Sequence, residues 1–275
     1  VHAHDSHALT VALWARALAG LMRRRDPPRI VATRRVDFSI RRRIGPSPWR
    51  RADRVIAISD AVKSVLVADG LPPARIAVVP SGIDPGEVRR AATAPLDVRR
   101  RLGLPPATPL AVNVAALVDH KDQRTLIRAA HAARALRPDL HWAVAGEGEL
   151  RAVLEREIAA LGVGDRVHLL GYVDAADALL REATVVVMSS RQEGLGSVVL
   201  HALALERPVV ATRGGGLPEM LPDSCLVPVG DHAALARRVA TALDHPAPVP
   251  LPPRFTAAAM AQGVLDVYRG LPTDN

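Results

Sequence analysis

A carboxylate, two glycines, a hydroxyl and an imidazole follow one another between Ser190 and Thr212: Glu193, Gly194, Gly196, Ser197 and His201 stand behind the apolar run Val185 to Met188. An apolar strand that runs into a glycine turn and then an amphipathic helix builds an anion site. Gly194 and Gly196, on either side of Leu195, let backbone amides approach a ligand. Ser197 can cap the helix, and phosphate oxygens would meet its positive end. His201 lies one helical turn beyond Ser197 on the same face, and Glu193 hangs off the loop, so both can point toward whatever the helix start holds. The arrangement suits a sugar diphosphate. On pattern alone it also fits a buried strand, a solvent turn and a packing helix of an ordinary α/β protein.

A second polar group opens the chain, His2-Ala-His4-Asp-Ser-His7. With no paired Cys or Glu, its spacing matches no strong metal-ligand pattern, and no Asp-x-Asp motif occurs elsewhere. The turn Ala145-Gly146-Glu-Gly148 ends one apolar run and opens a helical one; by itself such a turn is weak, and Gly146 reads as lining.

The elements that must position these groups form two series of apolar runs alternating with helical patterns, which argues for parallel sheets with crossover helices. The first series predicts a helix over 6–24, strands at Ile30 to Thr33, Arg54 to Ser59 and Ile76 to Val79, and a helix from Asp60 to Asp69. Val1 to His4 reads like the tail of a strand that began earlier. The second follows a Pro-rich stretch, 104–109. It predicts strands at 110–115, 142–145, 167–170, 185–188, 209–211 and 226–228, with helices at about 123–136, 149–161, 174–182, 197–205 and 232–243, a spacing that fits a doubly wound sheet. A stiff proline segment, 246–253, precedes a last helix over 255–268.

With 275 residues, 49% hydrophobic and 23% charged, the chain belongs among soluble globular proteins of one or two domains. No apolar run approaches the ~18 residues of a membrane span, and no leader pattern opens the sequence. A lone cysteine, Cys225, rules out an internal disulfide and suggests a reducing compartment, the cytoplasm. Residues 1–107 carry a net +11 and the remainder −3. The arginine clusters at 23–25, 34–35, 41–43 and 99–101 could meet anionic lipid at the inner face of a membrane or a phosphorylated acceptor. Of 36 basic residues 34 are Arg, which weakens any one cluster as a dedicated site, and 3% aromatic content argues against nucleic acid.

Glu-Gly-Leu-Gly before a helix, an apolar strand opened by Pro208, and Gly214-Gly-Gly-Leu-Pro-Glu219 together resemble the donor-site signature of family 4 retaining glycosyltransferases, also described as glycosyl transferases group 1. The resemblance implies the GT-B fold: two Rossmann-like, doubly wound parallel-sheet domains. They would be a partial acceptor-side domain at 1–107, a nucleotide-sugar-binding domain at 108–245, and a linker with a returning helix at 246–275. The family's opening strands and first glycine-rich loop would precede Val1. The resemblance further implies that Lys121 places a point charge on the departing diphosphate, while the family's Arg falls on Ala116. It puts Gly146, Tyr172, Gly194, Leu195, Gly196, Ser197 and His201 around the nucleotide sugar, Glu193 and His4 at the reaction, and His7 and Arg35 on the acceptor side. His201 stands where relatives carry a ribose-binding Glu, so restoring a carboxylate there is expected to tighten nucleotide binding.

The implied activity is transfer of a hexosyl group from a nucleotide diphosphate to an acceptor hydroxyl with retention of configuration, without metal or other cofactor. The acceptor would be a glycan, a lipid-linked molecule or a small molecule, as in cell-envelope glycan synthesis. Two rivals share the residues: a nucleotide-sugar epimerase, which needs carboxylates to move protons, and a non-catalytic sugar-nucleotide-binding or membrane-associated module.

Overall fold

The computed structural model describes residues 1–21, 27–40 and 47–271. The arginine clusters at 23–25 and 41–43, and the expected end of the first helix at Arg24, lie outside the described residues. The chain divides into two compact units, Val1–Gly82 with Arg254–Asn275, and Ile83–Pro253.

The first unit runs β1 (His2–Ala3), α1 (Ser6–Leu21), β2 (Val31–Arg34), β3 (Arg54–Ala57), α2 (Asp60–Ala68) and β4 (Ile76–Val78), with the strands parallel in the order β1-β2-β3-β4. Each strand is short, β2 to β4 are largely apolar, and each helix starts where a side chain can satisfy its free amides. Asp5 Oδ1 accepts from Ala8 N at 2.7 Å at the head of α1, and Ser59 Oγ accepts from Val62 N at 3.0 Å at the head of α2.

The second unit runs α3 (Pro85–Ala91), α4 (Val98–Arg101), β5 (Leu110–Val114), α5 (Gln123–Ala133), β6 (His141–Ala145), α6 (Arg151–Ala160), β7 (Val167–Gly171), α7 (Ala176–Glu182), β8 (Val185–Met188), α8 (Ser197–Ala204), β9 (Val209–Thr212), β10 (Leu226–Val227) and α9 (His232–Asp244). Its six strands are parallel in the order β10-β9-β8-β5-β6-β7. The order reverses between β5 and β8, and a parallel sheet opens a crevice at the C-terminal ends of the strands flanking such a reversal. Strands β8 and β9 are buried along their whole length, as expected of a sheet covered on both faces. Trp142, Ile127, Leu154, Val185, Val187, Leu235 and Val239 share its core.

The boundary expected at 107 falls instead at Gly82. Residues 83–107 join the second unit because Glu182, at the end of α7, accepts hydrogen bonds from the backbone of Leu96 (2.6 Å), Asp97 (2.7 Å) and Val98 (2.8 Å). Arg99 adds bonds to the carbonyls of Thr108 (2.7 Å) and Glu182 (2.8 Å). Arg99 is thus committed within the unit, which removes it from the surface cluster at 99–101. Helices α3 and α4 were not anticipated, although Asp84-Pro85 reads as a cap followed by a first-turn proline: Asp84 Oδ1 accepts from Gly86 N at 2.7 Å.

After the proline segment the chain returns to the first unit as α10 (Ala257–Arg269). Its Met260, Val264 and Val267 pack with Leu271 against Val31, Ile56 and Val79 of the first sheet. Gly263 faces the end of β4 so closely that a Cβ there would lie 2.8 Å from Cγ1 of Val79, the residue after the strand.

His2 ties β1 to this helix, with Nδ1 2.6 Å from the Tyr268 hydroxyl and Nε2 2.6 Å from Thr33 Oγ1. Burial, then the neighbouring His4, then the Val1 ammonium push the His2 pKa down to about 4. A histidine held neutral in the fold contributes stability that is complete above its unfolded pKa of ~6.5 and is lost as pH falls toward the folded value. Hydrogen-exchange protection factors on 257–269, which correct for the slower intrinsic exchange at low pH, are therefore expected to fall between pH ~6.5 and about 4, and His2→Gln should flatten that dependence.

Candidate functional site

The reversal point of the second sheet carries the residues in question. Lys121 lies in the turn after β5 and Glu193 in the loop after β8, so the two strands that flank the reversal each supply one charge. Lys121 Nζ and Glu193 Oε2 form a short ion pair, with only 18% and 12% of their side chains exposed. Ser190 Oγ donates to the same Glu193 oxygen at 3.3 Å, and Ser189 Oγ donates to the Lys121 carbonyl at 3.0 Å. The turn and the loop are thereby stitched together.

Backbone packing fixes the Glu193 loop. A Cβ on Gly215 (φ 54°) would overlap the Glu193 carbonyl oxygen, and Gly216 N donates to that same oxygen at 2.8 Å. Thr212 Oγ1 donates to Ser190 O at 2.6 Å. The run Gly214-Gly-Gly thus seats one loop against another. Arg191 supplies a further anchor: its backbone N donates to His120 O at 2.8 Å, and its side chain lies 3.1 Å from Asp122. The hydrogen bond to Asp122 holds the Arg191 guanidinium pKa above its usual value. Asp122 also caps α5, its Oδ1 accepting from Thr125 N at 3.4 Å, while its Oδ2 accepts from the Thr125 hydroxyl at 2.7 Å. Ser190, Arg191 and Asp122 were not singled out from sequence; the order Asp122-Gln-Arg-Thr125 is a readable cap, whereas nothing local marks Arg191.

Ser197 does not cap α8. The cap position is Gly196, in the left-handed conformation at φ 93°, and it provides no side-chain hydrogen bond. Ser197 is the first helical residue and is exposed, so its hydroxyl stands beside the helix start instead of closing it. Gly194 and Gly196 are buried in the loop, and Leu195 is only 3% exposed.

His201 is on the face of α8 expected, together with Ser197 in a cavity of about 270 Å³ that also takes in Asp174, Asp177, Leu180 and Ala91. Its Nδ1 lies 2.6 Å from Asp177 Oδ1. A carboxylate from α7 therefore stands directly against the imidazole at position 201. No sequence signal links positions 24 residues apart.

Gly146 (φ 138°) is a close approach of backbones: its N donates to Gly171 O at 2.8 Å, and a Cβ would overlap Ala115 O. It aligns the ends of β5, β6 and β7. Tyr172, just past β7, is 75% exposed. His4, His7 and Arg35 belong to the first unit and are exposed, and the His4 ring lies 4.2 Å from that of His2, centroid to centroid. Among the described residues no group of three His, Cys, Asp or Glu is placed to hold a metal ion.

Two parallel, Rossmann-like α/β units are the architecture of the GT-B class of proteins. The chain belongs to the glycosyl transferases group 1 family, whose sequence profile matches residues 97–261, while that of glycosyltransferase family 4 matches residues 1–87. It is 33% identical over 210 residues to the 2-deoxystreptamine glucosyltransferase of Streptomyces kanamyceticus, covering 73% of this chain and 54% of that one. It is 34% identical over 183 residues to a GDP-mannose-dependent phosphatidylinositol monomannoside mannosyltransferase of Corynebacterium glutamicum, covering 61% and 47%. The chain thus spans about half the length of these relatives. Its fold is similar to that of Anabaena Alr3699/HepE, solved with UDP and glucose, at TM-score 0.79 and 21% identity over 98% of this chain and 77% of that one.

Proposed function

We propose that the chain transfers a hexosyl group from a nucleotide diphosphate sugar to an acceptor hydroxyl, with retention of configuration and without a divalent metal. The observation that carries this reading is the Lys121–Glu193 pair at the reversal point, beside a helix start that no side chain caps. A diphosphate entering there takes the amides at the head of α8 and the Lys121 ammonium, the work a metal ion does in other transferases. Lys121 then turns from Glu193 to the leaving phosphate, and Glu193 is released to the hydroxyls of the sugar. The departing phosphate accepts the acceptor's proton on the same face, so no protein nucleophile is required. Gly146 and Tyr172 border the base, and His201, oriented by Asp177, meets the ribose. His4 serves the reacting sugar, with His7 and Arg35 on the acceptor side.

The relatives' names support glycosyl donors with either base, since one is GDP-mannose-dependent and the fold neighbour was solved with UDP. The acceptor is a glycan, a lipid-linked molecule or a small molecule, in line with envelope glycan synthesis. The reaction belongs at the cytoplasmic face of a membrane, which the basic surface of the first unit would contact. Among the described residues no helix is long and apolar enough to cross a membrane.

Calorimetric titration with UDP-glucose and GDP-mannose, followed by NMR of the product anomer, tests this reading. One donor is expected to bind and to give product of unchanged anomeric configuration, with rates indifferent to EDTA; binding of neither, or inversion, defeats it. The Asp177 contact also changes what position 201 should do. His201→Glu alone sets two carboxylates face to face and is expected to weaken nucleotide binding. Combined with Asp177→Asn, it should bind at least as tightly as the natural pair.

A further inference from the structure

The first unit contains a cavity of its own, of about 390 Å³, where β1 and β2 end and α1 begins. Ser6 and Thr10 of α1, Arg34 at the end of β2, Ser39, Ser47 and Trp49 line it. The cavity lies at the C-terminal ends of β1 and β2, beside the first turns of the 16-residue helix α1, whose Ala8 amide is already taken by Asp5.

Arg34 is held in place on two sides. Its Nη2 donates to Phe38 O at 2.7 Å, and its guanidinium carbon lies 5.3 Å from the centroid of the Trp49 ring. Its Nε is buried and has no hydrogen-bond partner among the described residues. Ser47, 7% exposed, likewise has an Oγ that is buried and unpartnered. Leaving a buried donor unsatisfied costs about 1–3 kcal/mol, and more when the group is charged, so two of them on residues that line one cavity call for an acceptor. Burial pushes the Arg34 pKa down, while Asp69 and Asp37 oppose that shift. Asp69 is already engaged, accepting from Ser39 Oγ at 2.8 Å and Ile40 N at 2.6 Å.

We propose that this cavity binds an oxyanion, a phosphate or carboxylate carried by the acceptor, with Arg34 Nε and Ser47 Oγ as its donors. That the anion belongs to the acceptor rests on the transferase reading; that the cavity takes an anion does not. A planar guanidinium fixed by stacking and one backbone bond matches phosphate or carboxylate in a way a neutral hydroxyl cannot. Ser6 and Thr10 line the same cavity; the Thr10 hydroxyl donates to Ser6 O at 2.8 Å and keeps its lone pairs for a ligand hydroxyl.

The test uses the full chain, calorimetry and four probes: inorganic phosphate, glucose 6-phosphate, glucuronate and glucose. Phosphate is expected to bind. Arg34→Gln should weaken it about tenfold or more and Ser47→Ala about threefold, as expected for charge-assisted hydrogen bonds. Arg101→Gln, which removes the same charge from the second unit, should leave it unchanged. Arg34→Lys keeps the charge without the fork and should fall between wild type and Arg34→Gln, which covers the case in which the glutamine variant does not fold. Tighter binding of glucose 6-phosphate than of glucuronate assigns a phosphorylated ligand, and the reverse order assigns a carboxylate. The proposal is overturned if glucose binds as well as either anion, if phosphate does not bind, or if Arg101→Gln loses as much as Arg34→Gln. None of these measurements involves a donor, so their failure is separate from failure of the transferase reading.

Discussion

Lys121→Met and Glu193→Gln are each expected to cut glycosyl transfer by about 10²–10³-fold, the range seen when one preorganised charge or donor is removed from a transition state. The two losses have different origins. Without Lys121 nothing but helix amides meets the leaving phosphate, and without the Glu193 carboxylate the sugar loses its orienting acceptor. Stability adds a second signature. Each side chain is mostly buried, so removing one partner strands the other charge; full burial would cost about 3–5 kcal/mol, and the residual exposure reduces this to about 2–3 kcal/mol. The double variant should recover most of that stability while transferring no faster than either single one. Thermal denaturation and steady-state turnover on the four proteins check this. Additive losses in stability would show that the pair is not coupled.

Gly215→Ala is expected to be nearly as damaging to transfer without touching a group that meets substrate. The new methyl would occupy the space of the Glu193 carbonyl oxygen and break its hydrogen bond with Gly216 N. Relief requires the Glu193 peptide to move, taking the carboxylate away from Lys121. The loss of stability should be about 2–4 kcal/mol, as for other backbone clashes at left-handed positions. Gly103→Ala is the control. Its φ is also positive, at 69°, but nothing lies within 4 Å of the added carbon, so only the cost of conformation applies. Denaturant melts of both variants, with turnover measured in parallel, separate the clash from the conformation.

Much of the fold was readable because buried parallel strands announce themselves as unbroken apolar runs. β8 falls on the four residues expected, and most other strands differ by one residue at an end. What escaped was held by distant partners. Residues 83–107 read as the tail of the first domain, yet the Glu182 carboxylate, far along the chain, gathers three of their backbone amides. At the site, the types and order of Glu193, Gly196 and Lys121 were legible, but the roles of neighbours were not. A serine before a helical run looks like a cap, and only the backbone reveals that Gly196 takes that position with φ above zero. His201 read as a loss of acidity because Asp177 sits on another helix, and periodicity says nothing about contacts between helices. The charge on the first unit was legible as a sum, whereas which arginine turns inward at β2 was not: Arg34 lines the cavity and Arg35 is exposed.

The return of α10 to the first sheet sets an order of events during synthesis. The second unit is continuous in sequence and can complete its own core as soon as residue 253 has left the ribosome. The first unit emerges earlier but must wait, because Val31, Ile56 and Val79 lack their cover until 257–271 follow. Through that interval the nascent chain displays an apolar sheet face, the kind of surface on which folding chains aggregate or recruit chaperones. The domain made first is the domain finished last.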